Sequence, residues 1–322
     1  MVSIKEKLTI GMDYMDTSVS SYNSGISSIK ASGGVHYPVM YREVLSYLDC
    51  KPGKVIVDAT VGTGGHAYKV LKKISPGGSL IGIDKDQDSL AVARERLSEF
   101  KDRFILIHED FRHIDHILNG IKVDGVLFDL GISSFQLRNQ ERGFSFQQDS
   151  PLDMRMDRTN SILAYDLVNS LAQSELSHLI KVFGEDRFHN RIAKYIVRKR
   201  KEEPIATTFQ LSELIKRAVP SKRQHIHPAT RTFQALRIAV NRELESLEEA
   251  LEKLPLILKS GSRACVISFH SLEDRIVKHR FRYFKKSGML KVITPKPLRP
   301  SSEEMKENIR SRSAKMRVAQ KK

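Results

Sequence analysis

The chain has 322 residues, with 54 Lys and Arg against 38 Asp and Glu, and a formal net charge of +16. Its 40% hydrophobic and 29% charged residues exclude collagen-like and disordered chains and predict a soluble globular protein. The excess of positive charge predicts a polyanionic partner. Two cysteines are too few for a disulfide framework, and no apolar run approaches the roughly 18 residues of a membrane span, so we expect a cytoplasmic protein without membrane contact.

Residues 1–34 contain eight serines and end in a Gly-Gly pair, without a sustained apolar period. This composition predicts a flexible N-terminal extension. It lacks the apolar core of a secretory signal, so we assign it no targeting function.

From residue 35 the sequence alternates between buried strands and amphipathic helices. The runs that predict strands are residues 55–57, 80–83, 104–107 and 126–128, and residues 88–100 show a helical apolar face. This alternation is typical of a doubly wound, mostly parallel α/β sheet with helices on both faces. Such sheets bind ligands at the carboxyl ends of their strands.

Helical patterns replace this alternation after residue 139. They cover residues 162–170, 174–183, 188–200 and 209–219, before an apolar strand at 263–269 and a helix from Ser271. We therefore predict an inserted all-α domain at residues 139–240. The α/β domain would then comprise residues 35–138 and 241–322, on either side of this insert.

The positive charge is concentrated in two segments. Residues 190–237 carry a net +9 and residues 275–322 a net +13, so the rest of the chain carries −6. A run of charge is often only a solvated helix face, but clustering of this density favours a clamp on the phosphate backbone of RNA. The cations of the first segment include Arg198, Lys199, Arg200, Lys201, Lys216, Arg217, Lys222, Arg223 and Arg231.

A glycine-rich loop follows the first predicted strand. The strand ends in Asp58, and Gly62, Gly64, Gly65 and His66 lead into the next helix. Glycines let a ligand lie against main-chain N–H groups, which suits a nucleotide phosphate or the methionine part of S-adenosylmethionine. A tight strand–helix connection explains the loop alone equally well. The spacing departs from the dinucleotide-binding pattern, and the Lys of a P-loop is missing.

Acidic and aromatic residues end the next two predicted strands. Asp84, 26 residues beyond Asp58, could accept hydrogen bonds from the ribose hydroxyls of an adenosine ligand, or it could cap the following helix. Phe111 offers an aromatic face and Asp110 an acceptor for adenine. Loop, acid and ring on successive strand ends favour a nucleoside site more strongly than any one of them does.

The fourth predicted strand ends in Asp129, and the segment to Gln136 carries further polar side chains. In a doubly wound sheet this strand end faces the reacting centre, so these side chains could hold a nucleophile near a methyl donor. The alternative is an Asp-Leu-Gly turn in which Ser133 and Ser134 cap the next helix. The spacing alone leaves the two interpretations about equal.

Several short motifs resemble those of one family, the MraW methylases, also known as the bacterial ribosomal RNA small-subunit methyltransferase H family. The motifs are residues 36–39 (HYPV), 62–66 (GTGGH), 129–136 (DLGISSFQ), 141–146 (ERGFSF), 151–157 (PLDMRMD), 227–237 (HPATRTFQALR), 268–275 (SFHSLEDR) and 310–317 (RSRSAKMR). The N-terminal extension is outside the shared pattern. Phe135 and Arg138 depart from the family, which often has Pro and an acid there.

The resemblance implies S-adenosylmethionine-dependent methylation of the exocyclic N4 of a cytidine in 16S rRNA. The expected target is in the decoding centre of an assembled or nearly assembled small ribosomal subunit. It also implies a Rossmann-like methyltransferase fold with a helical insert; no metal is expected, and a homodimer is left open. The implied cofactor contacts are Gly64, Gly65, His66, Asp84, Phe111, Asp129 and Gln136.

Three residues are candidates for catalysis. The Asp129 carboxylate could bind the hydrogens of the cytosine amine and stabilise the positive charge that develops there, or it could serve the cofactor alone. Ser133 and His270 are further candidates for positioning or proton removal. Ser271, next to His270, is predicted to cap a helix. Methylation at cytosine C5 would need a cysteine nucleophile, and neither cysteine lies in a strand-end motif.

Two other functions compete on the sequence alone. A nicotinamide oxidoreductase accounts for the fold but not for the loop spacing or the basic segments. A non-catalytic ribosome-assembly factor accounts for the charge but leaves the predicted cofactor residues without a role.

Overall fold

A seven-stranded sheet lies at the centre of the protein, whose structure, a computed structural model, describes residues 38–220 and 226–322. The strands are β1 (Val55–Asp58), β2 (Ser79–Asp84), β3 (Phe104–His108), β4 (Val123–Asp129), β5 (Leu258–Ser268), β6 (Leu290–Val292) and β7 (Lys315–Lys321). Strands β1 to β5 pair in parallel, whereas β7 is antiparallel to both β5 and β6. The predicted doubly wound, mostly parallel α/β sheet is confirmed. The predicted N-terminal extension lies outside the described residues.

Helices flank this sheet and fill the long connection between β4 and β5. They are α1 (Tyr41–Tyr47), α2 (Gly65–Ile74), α3 (Gln87–Arg96), α4 (Ile114–Leu118), α5 (Ser134–Arg138), α6 (Ala164–Ser170), α7 (Gln173–Gly184), α8 (His189–Lys199), α9 (Thr208–Ala218), α10 (Thr230–Asn241), α11 (Glu243–Ile257), α12 (Ser271–Lys286) and α13 (Ser302–Glu307). Within the part of the chain that the structure describes, none of them is long and apolar enough to cross a membrane.

The strand order β3-β2-β1-β4-β5-β7-β6 reverses direction between β1 and β4. The chain first builds outward from β1 to β3 and then returns to place β4 on the other side of β1. In open α/β sheets, ligands bind beside such a reversal, at the carboxyl ends of the strands. The glycine loop after β1 and the polar segment after β4 therefore leave the sheet at the same crevice.

Apolar side chains alternate between the two faces of the sheet, and each face has its own hydrophobic cluster. One cluster joins the strands to α4, α11 and α12, through residues such as Leu118, Leu251 and Phe281. The other joins them to α1, α2 and α3, through residues such as Val44 and Leu71. Burial on both faces explains why the parallel strands appear in the sequence as continuous apolar runs.

Helices α6 to α10 pack around a third hydrophobic cluster, whose buried members lie between Phe144 and Val240. Helices α6 to α9 match the four helices predicted from periodicity, with ends that differ by one or two residues. Helix α10 was not singled out from the sequence. It contributes Phe233 and Leu236 to this cluster.

Buried Arg142 fixes the chain as it leaves the sheet for these helices. Its guanidinium is fully buried and forms ion pairs with Asp86 (3.2 Å) and Asp88 (3.0 Å) at the start of α3. It also donates to the main-chain carbonyls of Arg155 and Met156. The ERGFSF motif thus ties the segment after β4 to the loop after β2, which borders the crevice.

Candidate functional site

The glycine loop folds tightly against the neighbouring strand end. The N–H of Gly62 donates to Asp84 Oδ2 (2.7 Å), so the carboxylate that ends β2 holds the loop that follows β1. Gly64 has φ of 80°, a left-handed conformation that glycine adopts without strain, and it begins α2. A Cβ at Gly64 would lie 3.4 Å from Ala93, so the loop also packs closely on α3.

Asp84 braces the loop and does not cap the next helix through its side chain. Its second oxygen accepts from the N–H of Asp86 (2.9 Å), while Asp86 itself caps α3 by accepting from Asp88 N. The capping alternative for Asp84 is therefore wrong. Burial raises the pKa of Asp84 to about 6, against the stabilising effect of these N–H groups on its ionised form.

Three ionisable side chains meet in the crevice: Asp58 at the end of β1, Asp129 at the end of β4 and His66 in the first turn of α2. His66 Nε2 lies 3.4 Å from Asp129 Oδ2, in an ion-pair contact that is too poorly directed for a hydrogen bond. One buried oxygen of each carboxylate and His66 Nε2 have no hydrogen-bond partner among the described residues. We call these three residues the acid–histidine cluster.

The pKa values of Asp58 and His66 within the acid–histidine cluster are both raised, for different reasons. Burial raises the pKa of Asp58 to about 7; His66 opposes this rise, and the nearby Asp129 carboxylate adds to it. For His66, burial disfavours the charged form, but Asp129 and Asp58 outweigh burial and raise its pKa. Buried polar atoms without partners are rare in folded proteins, so this cluster has unused capacity for a positively charged ligand with hydrogen-bond donors.

The segment after β4 forms a helix cap. Ser133 Oγ accepts from Gln136 N (3.1 Å) and Ser133 N donates to Gln136 Oε1 (2.9 Å), which is a reciprocal capping box at the start of α5. Buried Gln136 also donates from Nε2 to Asp86 Oδ2 (2.7 Å). The structural alternative for Ser133 is thus observed, and both ends of the predicted cofactor contact Gln136 already bind other residues of the protein.

The two predicted adenine contacts that follow β3, Asp110 and Phe111, differ in their partners within the protein. Asp110 Oδ2 receives Lys85 Nζ, Arg112 Nε and Ser246 Oγ, each at 2.8 Å, so this carboxylate is engaged by the protein itself. The Phe111 ring lies edge-on to Phe128, with centroids 5.5 Å apart. Phe111 stays a predicted adenine contact, whereas the proposed acceptor role of Asp110 is not supported by this geometry.

His270, after β5, caps α12. Its Nδ1 accepts from Glu273 N (3.4 Å), and its Nε2 lies 3.2 Å from Glu273 Oε1. The predicted capping role of Ser271 is wrong, because its hydroxyl instead donates to Glu185 at the end of α7. His270, Glu273 and Glu243 come close enough to suggest a metal site, but both oxygens of Glu243 already accept from Nε and Nη2 of Arg237, each at 2.8 Å.

Comparison with known proteins shows the family. A family model described as the MraW methylase family matches residues 34–322. The chain belongs to this family. Ribosomal RNA small subunit methyltransferase H of Persephonella marina is 51% identical over 289 residues, which are 88% of this chain and 98% of the relative. The protein of the same name from Caldicellulosiruptor saccharolyticus is 47% identical over 304 residues, 89% and 99% of the two chains.

A solved rRNA methylase from Streptococcus thermophilus is 11% identical and matches 87% of this chain and 93% of its own, with a TM-score of 0.40. Membership of the MraW methylase family confirms the resemblance found in the motifs and identifies a methyltransferase. The sheet and flanking helices confirm the expected Rossmann-like architecture.

The two cysteines of this MraW-family methylase are both buried and free. Burial raises the pKa of the Cys50 thiol to about 12 and that of Cys265 still further above its ordinary value. A nucleophilic cysteine has to be a thiolate, so neither side chain has the environment that such chemistry requires.

Not every cation in the basic segments of this MraW-family methylase faces solvent. Arg200 donates to the carbonyls of Val168 (2.7 Å) and Leu171 (2.6 Å), and buried Arg317 pairs with Asp274 (2.6 Å). The exposed cations of the first segment include Arg198, Lys201, Lys216, Arg217 and Arg231. Lys222 and Arg223 lie outside the described residues. Sequence counting therefore overestimates the charge that is available to a partner.

Proposed function

We propose that this chain transfers a methyl group from S-adenosylmethionine to the exocyclic N4 of a cytidine in 16S rRNA. The proposed substrate is the decoding centre of an assembled or nearly assembled small ribosomal subunit, in the bacterial cytoplasm. Two close relatives are named as small-subunit rRNA methyltransferases, and the motif resemblance supplies the finer position. The basic segments are consistent with an RNA substrate.

The acid–histidine cluster is the observation that carries the donor part of this proposal. S-adenosylmethionine would supply a methyl group on a positively charged sulfonium, and it also carries an ammonium group. The unpartnered oxygens of Asp58 and Asp129 match that positive charge and those donors. A negatively charged dinucleotide would instead place its phosphates among buried carboxylates, which disfavours the oxidoreductase alternative.

Residues around the cluster complete the proposed donor site. We assign main-chain contacts to Gly64 and Gly65, whose loop is fixed at the crevice by the Gly62–Asp84 hydrogen bond. Asp84 is partly buried and each of its oxygens retains a second lone pair, which suits the two ribose hydroxyls. We assign to Phe111, which directly follows the segment after β3, an apolar contact with the adenine ring. Gln136 acts indirectly in this scheme, by holding Asp86 and Ser133.

For the acceptor, Asp129 is the group best suited to act on the cytosine amine. The amine lone pair is delocalised into the ring, so the amine reacts only when it is held in line with the methyl group and allowed to become tetrahedral. A carboxylate oxygen can accept the amine hydrogens and stabilise the developing positive charge. Ser133 and His270 already cap helices, which makes them positioning candidates and leaves Asp129 as the first proton acceptor.

We further propose that residues 139–240, together with the basic C-terminal segment, hold the RNA while the sheet holds the donor. The target base has to leave its stack to reach the methyl group, which requires a grip on the flanking backbone. The exposed cations of α8 and α9 are suited to this grip because phosphate contacts position a nucleic acid without reading its sequence.

The test is methyl transfer from labelled S-adenosylmethionine to purified small subunits that lack the modification, compared with naked 16S rRNA. We expect stoichiometric labelling of one cytidine in the subunits, identified as N4-methylated by nuclease digestion and mass spectrometry. Binding of S-adenosylmethionine but not NAD should accompany it. RNA binding without any methyl transfer would instead favour the assembly-factor alternative.

A further inference from the structure

An arginine pair lies beside the segment that follows β4. Ser134 and Arg138 are the first and last residues of α5, and their spacing of four places both side chains on one face of that helix. The guanidinium of Arg310, from the segment before β7, donates to the hydroxyl of Ser134. Arg310 therefore lies next to Arg138, although the two are 172 positions apart in the sequence.

The segment that carries Arg310 is fixed at the mouth of the crevice. It leaves the sheet region where Leu298 pairs with Met316, and it returns through the short helical turn Ile309–Ser313. On its way, Glu304 accepts from the main-chain N–H of Met40 (2.7 Å), just before α1. The segment thus extends from the start of α1 to the polar segment after β4.

Within the part of the chain that the structure describes, the arginine pair lacks negative partners. Among residues 38–220 and 226–322, neither Arg138 nor Arg310 forms an ion pair. Arg138 is exposed and Arg310 is partly buried. Burial lowers the pKa of Arg310, and the positive charge of Arg138 lowers it further. Two like charges side by side at the edge of a site are costly unless a ligand neutralises both.

We propose that Arg138 and Arg310 together bind one phosphodiester of the RNA substrate, next to the nucleotide whose base enters the crevice. A guanidinium presents a planar fork of donors that matches phosphate oxygens, and two of them can share one phosphate. The Ser134 hydroxyl holds one fork in place.

This inference rests on the proposed function, since it takes RNA as the substrate. We would measure kcat/KM for purified small subunits in Arg138→Gln, Arg310→Gln and the double variant. Arg94→Gln is the matched control, because Arg94 is an exposed arginine on α3, outside both basic segments. Calorimetric binding of S-adenosylhomocysteine to each variant would report whether the donor site is intact.

We expect each single variant to lower kcat/KM about tenfold, the loss expected for one charge-assisted contact, with donor affinity unchanged. The double variant should lose far less than the product of the two effects, because both side chains act on one phosphate. The slope of log affinity for RNA against log salt should fall by roughly 0.7 to 0.9, as expected for one phosphate contact. Arg94→Gln should change none of these by more than about twofold.

The proposal is overturned if Arg138→Gln behaves like Arg94→Gln, and fully multiplicative effects of the two single substitutions would overturn the shared phosphate. Arg138 is exposed, so its variant decides the matter even if Arg310→Gln fails to fold. If the wild-type protein does not methylate small subunits at all, the proposed function fails. In that case filter binding of 16S rRNA to the same variants still tests the phosphate site separately.

Discussion

The acid–histidine cluster and the exposed basic surface carry their charges in opposite environments, one buried and the other in solvent. In the cluster, two strand-end carboxylates and one helix histidine have buried atoms without hydrogen-bond partners among the described residues. On the surface of α8 and α9, cations are exposed, so little desolvation free energy opposes their charge. Removal of a single buried charge should therefore have a large effect, whereas surface cations act collectively and through salt-dependent contacts. The net charge of +16 conceals this division, which single and multiple substitutions should separate.

The largest effect is expected from Asp129→Asn. This change keeps the size of the side chain but removes the negative charge proposed to stabilise the amine in the transition state. We expect single-turnover methyl transfer at saturating donor to fall by about 10²- to 10³-fold, the range seen when one preorganised electrostatic contact is removed. Rapid-quench measurement of labelled 16S rRNA checks this directly.

Asp124→Asn is the matched control, because Asp124 lies on the same strand at its opposite end, where it accepts from Val55 N (2.9 Å). Its transfer rate should stay close to wild type. A wild-type rate in Asp129→Asn would show that the Asp129 charge has no part in the chemical step and serves the donor alone.

The next effect concerns the basic surface as a group. Reversal of Lys216, Arg217, Lys222 and Arg223 to Glu should weaken RNA binding by about 10²-fold at 0.1 M salt, because several phosphate contacts are lost together. Donor affinity should be unchanged, since Lys216 and Arg217 lie on α9, which packs in the third hydrophobic cluster and not against the sheet. Filter binding across a salt series measures both the affinity and its slope.

An equal change of net charge elsewhere controls this experiment. Exposed cations outside the basic segments include Lys72, Lys73, Arg94 and Lys122. Reversing these four should weaken RNA binding much less than reversing the proposed clamp. Equal losses in the two variants would mean that only the total charge matters and that no local clamp exists.

A smaller effect is expected from pH, and it probes the buried side of the comparison. Asp58 has a pKa of about 7 in the donor-free protein, far above its unfolded value, so its ionisation destabilises the fold as pH rises from about 4 through 7. A cationic donor favours the ionised form, so binding should release a proton. Donor affinity should therefore increase with pH, by at most about tenfold per unit below pH 7.

Calorimetry of S-adenosylmethionine binding in buffers with different ionisation enthalpies counts the released protons. Asp58→Asn cannot ionise, so its donor affinity should vary much less between pH 6 and 8. Wild-type affinity that is flat over this interval would show that Asp58 is not coupled to the donor.

The sequence predicted those parts of the site that depend on neighbours along the chain. Strand ends at Asp58, Asp84 and Asp129 follow from apolar runs, and parallel pairing brings them to one edge. It could not predict which polar partners would arrive from far away. Gln136 is bound by Asp86, 50 positions earlier, and Asp110 by Ser246, 136 positions later.

The same limit explains the error at Ser271. A Ser followed three residues later by an acid is a common cap signal, but His270 occupies the capping position in the structure. The hydroxyl of Ser271 instead donates to Glu185, a residue 86 positions earlier in the chain. Local spacing reports which caps are possible, and tertiary contacts decide which one forms.

The smallest effect is expected at the cysteines, where the prediction is a near absence of change. Cys50→Ala and Cys265→Ala should each retain methyl transfer within about twofold, because burial keeps both thiols protonated and unavailable as nucleophiles. Stability should decrease modestly through the small cavities left behind. Single-turnover transfer and mapping of the product check this. Loss of transfer in a folded alanine variant would instead point to attack on the cytosine ring, and would move the reacting centre away from Asp129.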